Sequence, residues 1–203
     1  MSVSEQDRAR IATAIRAAEA KTSGEIVCVL AQTSTDATAL PVLLAALVAL
    51  ALPWVLVVVT EMSVHHILVL QVAVFFLLLL VLCLPRVRVA LLPRAARRYV
   101  AHRAAMEQFT IRGIARKKDR TGILIFVSLA EHYARIIADE GIAGRVAKSE
   151  WQDAVNVLIE HMSGGRIADG FIAAIAVCGT VLAQHFPRTG ASRDELPDRI
   201  YLV

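Results

Sequence analysis

Two long runs without a charged residue constrain this chain more than any other feature of its sequence. Asp36 and Glu61 are separated by 24 uncharged positions, and another 24 separate Glu61 from Arg86. A helix of about 20 apolar residues spans a hydrocarbon core of about 30 Å. Because backbone in lipid must form its own hydrogen bonds, both runs should be α-helical. The sequence therefore predicts a transmembrane helical hairpin over residues 38–85.

The polar stretch from Glu61 to His66 is short enough to connect two antiparallel helices. Pro53 is expected to bend the first helix, because it lacks a backbone N–H. His65 and His66 are adjacent on this connection, without a third ligand nearby, which is more typical of solvent-exposed residues than of a metal site. Two crossings would return the chain to the side of the membrane on which it began.

Basic residues are concentrated directly after the second apolar run. Residues 86–120 hold 11 of the 22 lysines and arginines. The positive-inside rule places this block in the cytoplasm, and both termini with it. The polar first 21 residues lack a secretory pattern, which agrees with that side. We expect the membrane surface, with its anionic lipid headgroups, to be contacted by Arg86, Arg88, Arg94, Arg97 and Arg98.

Two other interpretations of these features stay open. The apolar runs could be core helices of a soluble bundle, although such helices usually have only 10–14 apolar residues. The basic block could bind nucleic acid, but it lacks interleaved aromatic residues and any known motif, so we expect no nucleic-acid partner.

Cys28, Cys83 and Cys178 lie far apart and show no spacing of a disulfide framework or a zinc site.

The residues before the first run predict a helix followed by a buried strand. Ser4 and Asp7 have the spacing of a capping box, and apolar residues then recur on one helical face until about Gly24. The strand Glu25–Ala31 is apolar at successive positions, so both of its faces should be covered. It is therefore expected in the middle of a sheet.

The residues after the hairpin predict a helix, a β-hairpin and two further helices. The predicted elements are a helix from Pro93 to about Thr110, strands over Thr121–Ser128 and His132–Asp139, a helix with capping-box spacing at Ser149 and Gln152, and a last helix over Ile167–Phe186. Residues 188–203 carry mixed charge and a proline, which indicates a flexible tail.

Neither part has enough strands for a stable sheet alone, because a single strand or a two-stranded hairpin is marginal in water. We therefore expect residues 1–37 and 86–187 to form one discontinuous α/β domain. Its predicted fold is an α/β/α sandwich around a small sheet, with residues 38–85 as an inserted two-helix transmembrane hairpin.

This order of elements resembles the TPM-domain family, named for a thylakoid phosphatase-like protein, a photosystem II repair factor and a modulator of a levamisole-type receptor. The resemblance rests on Gly24–Leu30, on Ala168–Pro187, and most specifically on Arg120–Ile142, RTGILIFVSLAEHYARIIADEGI. It implies helices around a small sheet, and activities that range from weak acid-phosphatase action to structural roles in membrane-complex assembly. Many relatives have a signal peptide and one anchor, whereas this chain has a hairpin within the domain.

Several acidic residues occur where loops of the predicted domain should converge. They are Asp119, Glu131, Asp139, Glu140 and Asp169. Oxygen-rich clusters bind calcium or magnesium, and the resemblance implies calcium binding in this region. The candidate metal ligands are therefore Asp119, Asp139, Glu140 and Asp169, with calcium or magnesium as the candidate cofactor. Alternatively, Asp169 charges a helix N-terminus, and Asp139 and Glu140 are turn residues.

A catalytic nucleophile is harder to identify. Ser128 ends a strand without the glycine-flanked elbow of a hydrolase, and His132 is the nearest candidate base. The first functional hypothesis is therefore a non-enzymatic, membrane-anchored TPM-like domain that binds a partner protein and assists a membrane complex. The alternative is a weak, divalent-cation-dependent phosphatase-like hydrolase.

Overall fold

The computed structural model of the protein describes residues 3–34, 39–84, 87, 90–116, 120–188 and 196–203. The chain forms two compact units, one of Met1–Ser34 and Val100–Val203 and the other of Thr35–Tyr99. The first contains a four-stranded sheet with helices on both faces, and the second contains two long apolar helices. The predicted α/β fold with an inserted helical hairpin is confirmed.

The helices and strands follow the predicted order, with three short additions. In chain order they are α1 (Glu5–Glu19), β1 (Glu25–Ala31), α2 (Ala39–Val59), α3 (Val64–Leu82), α4 (Arg94–Ile111), a 3₁₀ turn (Ile114–Arg116), β2 (Gly122–Ser128), β3 (Tyr133–Ala138), α5 (Glu140–Ala143), α6 (Lys148–Ser163), α7 (Ile167–His185) and β4 (Ile200–Leu202). The additions are the 3₁₀ turn, α5 and β4.

The sheet has the strand order β3-β2-β1-β4. β1 is parallel to both β2 and β4, whereas β2 and β3 form the predicted antiparallel hairpin. Every residue of β1 and β2 is buried. Because successive side chains of a strand point to opposite faces, such strands need cover on both sides, as predicted for β1.

Helices cover the two faces of the sheet. α1, α6 and α7 pack on one face through residues such as Ile15, Leu158 and Phe171. Ala105 and Phe109 of α4, together with Ile114, pack on the other face against Val29 and Phe126. This is the predicted α/β/α sandwich, and it fixes which side chains meet at the ends of the strands.

One of the two predicted capping boxes forms. The amide of Asp7 donates to Ser4 Oγ at 3.1 Å, and the amide of Ser4 donates to Asp7 Oδ2 at 3.4 Å. The box predicted at Ser149 and Gln152 is wrong, because α6 begins at Lys148 and its N-cap is Ala147. Glu150 then occupies the third helical position, and its side chain accepts the amide of Ala147 at 3.3 Å.

The end of the chain also differs from its prediction. Residues 189–195 lie outside the described residues, but Ile200–Leu202 forms β4 rather than part of a flexible tail. Backbone hydrogen bonds join Val203 to Leu30 at 3.0 Å and Gln32 to Val203 at 2.9 Å. The physical reason is that β1 has a second edge, and pairing that edge satisfies backbone groups that would otherwise lack partners.

The unit of α2 and α3 is a helical hairpin with a connection shorter than predicted. His65 and His66 lie in the first turn of α3 rather than in the loop, and Ser63 Oγ is 2.7 Å from His66 Nδ1. The buried residues of α2 include Ala45 and Ala49, whose small side chains allow close approach of the two helices. Pro53 lies inside α2, as predicted.

Among the described residues, three helices are long and apolar enough to cross a membrane, namely α2, α3 and α7. They differ in their surroundings. In their most apolar stretches, 11% of α2 and 6% of α3 is buried within the protein, compared with 56% of α7. Membrane association is therefore plausible for the hairpin, whereas α7 is a core helix of the α/β unit.

Candidate functional site

The carboxyl ends of β1 and β2 meet at one edge of the sheet, where open α/β sheets commonly bind ligands. The turn between β2 and β3 is held on the end of β1, since Leu129 N donates to Ala31 O at 3.0 Å and Ala130 N donates to Gln32 O at 3.1 Å. Glu131 lies in this turn, before His132, whose φ is 50°. This edge is the first candidate site.

Glu131 is 5% exposed, and its carboxylate accepts hydrogen bonds from three of the described residues. The Ser34 amide lies 3.1 Å from each of its oxygens, the Thr33 hydroxyl donates at 3.1 Å, and the Ser128 hydroxyl also donates. Ser34 Oγ in turn donates to Ser128 Oγ at 2.8 Å. These charge-assisted bonds offset the cost of burying the carboxylate. We call Glu131, Thr33, Ser34 and Ser128 the Glu131 clamp.

The arrangement favours a structural role for the Glu131 clamp over a nucleophilic one. Ser128 contacts a carboxylate that could act as a base, but it is fully buried. His132 is exposed and adopts a left-handed turn conformation instead of the predicted strand-edge position. The clamp therefore fixes the end of β1, from which the chain continues to α2.

The predicted metal ligands at the other edge of the sheet have structural partners. Asp139 caps α5, with Oδ1 accepting the Glu140 amide at 2.7 Å, and its own amide donates to Gly122 O at 3.0 Å. Glu140 forms an exposed ion pair with Arg120. Asp119 lies outside the described residues. Asp139 and Glu140 are thus neighbours near the start of β2, as a cap and a surface residue.

Asp169 lies far from Asp139. The amide of Ser23, just before β1, donates to Phe186 O at 3.0 Å, so α7 ends beside the strand starts where Asp139 is found. The 19 residues of α7 extend about 27 Å, which puts Asp169 toward the opposite edge. Within the described ranges, no three His, Cys, Asp or Glu side chains form a group that could hold a metal ion. The structure does not bring Asp139 and Asp169 around one ion.

At its own end of the fold, Asp169 takes part in an exposed ion cluster. Its Oδ1 accepts a hydrogen bond from Arg10 at 2.6 Å, and Arg10 also contacts Asp7 at 3.2 Å. The hydrogen bond that Arg10 donates to Asp169 raises the pKa of Arg10, and the hydrogen bond from Ser4 lowers the pKa of Asp7. The cluster joins the starts of α1 and α7, which agrees with the alternative that Asp169 charges a helix N-terminus.

Sequence reasoning missed a buried carboxyl group at Glu19. Its side chain is 5% exposed, accepts the Ile26 amide at 2.7 Å and is hydrogen-bonded to Asp198. Burial is the main reason that the pKa of Glu19 rises to about 9. A signal was present, because Glu19 follows Ile11 and Ile15 at four-residue spacing on the buried face of α1.

A groove of about 590 Å³ runs between α1 and α7. A Cβ atom built on Gly179 would lie 2.7 Å from Ala18 Cβ, so the two helices approach too closely for any larger residue there. Most of the residues that line the groove are small, including Ala14, Ala17 and Ala176. This is a shallow, mainly apolar surface of the α/β unit.

The arginines predicted to contact lipid headgroups differ in their exposure and in whether their guanidinium groups already donate hydrogen bonds within the protein. Arg86 and Arg88 lie outside the described residues. Arg94 and Arg98 are exposed on α4. Arg97 instead donates from Nε to Leu92 O at 2.8 Å and from Nη2 to Ala90 O at 3.1 Å. Its guanidinium caps backbone carbonyls, which leaves Arg94 and Arg98 as the freer cations of this stretch.

Comparison with known proteins agrees with this architecture. Residues 85–181 match the model of the TPM domain. Among solved structures, the BA42 protein of the psychrophilic bacterium Bizionia argentinensis, determined by NMR, is similar with a TM-score of 0.63. The match covers 100% of this chain and 97% of that chain at 21% identity, which is a likeness of fold alone. No curated protein matches the sequence. Over residues 85–181 the chain therefore resembles the TPM domain.

Proposed function

We propose that this protein is a membrane-anchored TPM-domain protein that assists or regulates a membrane protein complex by binding a partner, without catalysis. The observation that carries the proposal is the exposure of apolar side chains on all sides of α2 and α3. Val58 is 85% exposed, for example, and Leu80 is 69% exposed. A helix that is apolar all round belongs in a large core or in a membrane.

Free energy favours the membrane over water for this hairpin. Removing one large aliphatic or aromatic side chain from water is worth about 1.5–3 kcal/mol, and both helices expose many such side chains. Their backbones already form internal hydrogen bonds, as lipid requires. α7 is long enough for a third span, but its apolar surface is used by the core, so we propose two spans.

The charge pattern supports a cytoplasmic α/β domain. Arg94 and Arg98 follow the hairpin and are exposed, so we place them at the cytoplasmic surface, where anionic headgroups attract them. Tyr99 is exposed beside them, and tyrosine is common at membrane interfaces. Two crossings then put both termini in the cytoplasm.

Partner binding is supported by how the polar groups of the α/β unit are used. The Glu131 carboxylate accepts hydrogen bonds from donors within the protein, and Ser128 is buried. The groove between α1 and α7 instead offers small, partly exposed side chains, into which a partner could pack closely. We place the partner contact on this groove.

The topology is tested by cysteine labelling in a Cys83→Ser background. Met62→Cys is expected to react with a membrane-impermeant maleimide on intact cells, and Arg98→Cys only after permeabilisation. Burial raises the pKa of the Cys178 thiol to about 12 and also raises the pKa of Cys28, so both should stay unreactive. Labelling of both introduced cysteines from one side would refute a hairpin that crosses the bilayer.

Partner binding is tested by affinity purification from detergent-solubilised membranes. We expect the double variant Ala17→Arg/Ala176→Arg to lose a membrane partner that the wild type retains, because two guanidinium groups would fill the groove. Both alanines are exposed, so the fold should survive. Ala143→Arg, exposed at the end of α5, is the matched control and should retain the partner. Equal recovery with all three proteins would argue against the groove.

The same preparations test the hydrolase alternative. We expect no turnover of p-nitrophenyl phosphate above a vector control, with or without calcium or magnesium. Turnover that depends on the metal, and that is lost in Asp139→Asn or Asp169→Asn while the melting temperature is kept, would contradict the non-enzymatic proposal.

A further inference from the structure

Two guanidinium groups converge on one aromatic ring of β4, an outermost strand of the sheet. Arg112 Cζ lies 3.8 Å from the centroid of the Tyr201 ring, and Arg199 Cζ lies 4.7 Å from it. Tyr201 is the middle residue of β4 and pairs with Val29 of β1. Its partly buried ring packs on the α4 side of the sheet, and Arg112 directly follows α4.

Among the described residues, the terminal nitrogens of both arginines are free to bind a ligand. Arg112 donates from Nε to Gln108 Oε1 at 3.1 Å, which orients its guanidinium. In the part of the chain that the structure describes, neither arginine forms an ion pair, and their Nη atoms have no hydrogen-bond partner. Both positive charges thus lie against one ring, whose quadrupole attracts them.

We propose that Arg112, Arg199 and Tyr201 form a binding site for a phosphate group. The ring orients both guanidinium planes before a ligand arrives, so the arginine side chains lose less conformational entropy when the ligand binds. An arginine fork matches two oxygens of an oxyanion, and two forks together offer more donors than one carboxylate accepts. A phosphate, with at least three accessible oxygens, fits the pair better.

The phosphate could belong to inorganic phosphate or to a lipid headgroup. The shared chemistry is a tetrahedral anion with terminal oxygens, and the site does not depend on the proposed partner binding. The two sources differ in whether the ligand is fixed in the bilayer, so neutral and anionic membranes distinguish them.

The test uses the full chain in phosphatidylcholine nanodiscs with ¹³C-labelled tyrosine, which gives three reporter residues. Inorganic phosphate, added at constant ionic strength, is expected to shift the Tyr201 ring resonance saturably and to leave that of Tyr133 unchanged. Arg112→Gln or Arg199→Gln should weaken binding about tenfold or more, as expected for loss of a hydrogen bond to a charged group. Arg112→Lys keeps the charge but loses the planar fork, so it should also weaken phosphate binding. Because this substitution is conservative, weaker binding in this variant is not explained by a folding defect.

Arg103→Gln is the matched control, since Arg103 is exposed on α4, whereas the described guanidinium groups over the Tyr201 ring are those of Arg112 and Arg199. In nanodiscs that contain phosphatidic acid, a headgroup ligand would displace the Tyr201 resonance before any phosphate is added. A response to soluble phosphate alone would identify the free anion as ligand. No response to either source, or equal weakening by Arg103→Gln, would overturn the proposal.

Discussion

Replacement of Glu19 by glutamine is expected to raise the free energy of unfolding of the α/β domain by about 3 kcal/mol at pH 7. The Glu19 carboxyl is buried, with a pKa of about 9 in the folded chain against 4.5 for the free side chain. It is therefore protonated in the folded protein at neutral pH and ionised in the unfolded chain. Glutamine is the neutral isostere, and its carbonyl can still accept the Ile26 amide.

The sign of the pH dependence follows from proton binding. Between pH 4.5 and 9 the folded state holds the Glu19 proton and the unfolded state does not. The contribution of Glu19 to stability is complete below pH 4.5 and is lost as the pH rises toward 9. We therefore expect the benefit of Glu19→Gln to be small at pH 4.5 and to grow as the pH rises.

Thermal unfolding of the detergent-solubilised chain at pH 5 and pH 8 checks this expectation. Hydrogen exchange at the Ile26 amide reports on the site directly, because that amide donates to Glu19. Glu5→Gln is the control, since the Glu5 side chain is 91% exposed and its replacement should not change the pH dependence. If wild type and Glu19→Gln showed the same dependence on pH, Glu19 would be ionised in the folded state.

The elements that the sequence predicted best are those with a strong local pattern. The bounds of β1 match its prediction, and β2 begins within one residue of its own, because buried strands are apolar at successive positions. The partly buried strand β3 also begins within one residue of its prediction. The starts of α4 and α7 also lie within one residue of their predictions, but the start of α6 does not. The spacing of Ser149 and Gln152 fits a capping box, but Glu150 reaches the preceding amide first, so α6 starts earlier.

The polar sites could not be predicted, because their parts are distant in sequence. Ser34 and Glu131 are 97 residues apart and meet only because β1 and β2 are paired in register. β4 is too short for a recognisable period, and it is the pairing with β1 that forms it. The predicted metal ligands Asp139 and Asp169 lie in loops that the prediction brings together, yet α7 carries Asp169 away from Asp139.

Replacement of Glu131 by leucine is expected to cost the α/β domain roughly 3 kcal/mol or more. The carboxylate accepts the Ser34 amide and the hydroxyls of Thr33 and Ser128, and each buried donor left without an acceptor costs about 1–3 kcal/mol. Glu131→Gln keeps one carbonyl oxygen, so it should lie between leucine and wild type. The loss should appear as a lower melting temperature and as faster hydrogen exchange at the Ser34 amide.

Glu140→Leu is the matched control for this prediction, because Glu140 is an exposed glutamate whose ion pair with Arg120 also lies at the surface. Exposed ion pairs contribute little, so its replacement should change stability by less than about 1 kcal/mol. A Glu131→Leu variant as stable as Glu140→Leu would mean that the three donors find other acceptors. A large difference would show that the Glu131 clamp holds the end of β1. The chain continues from this strand end to α2.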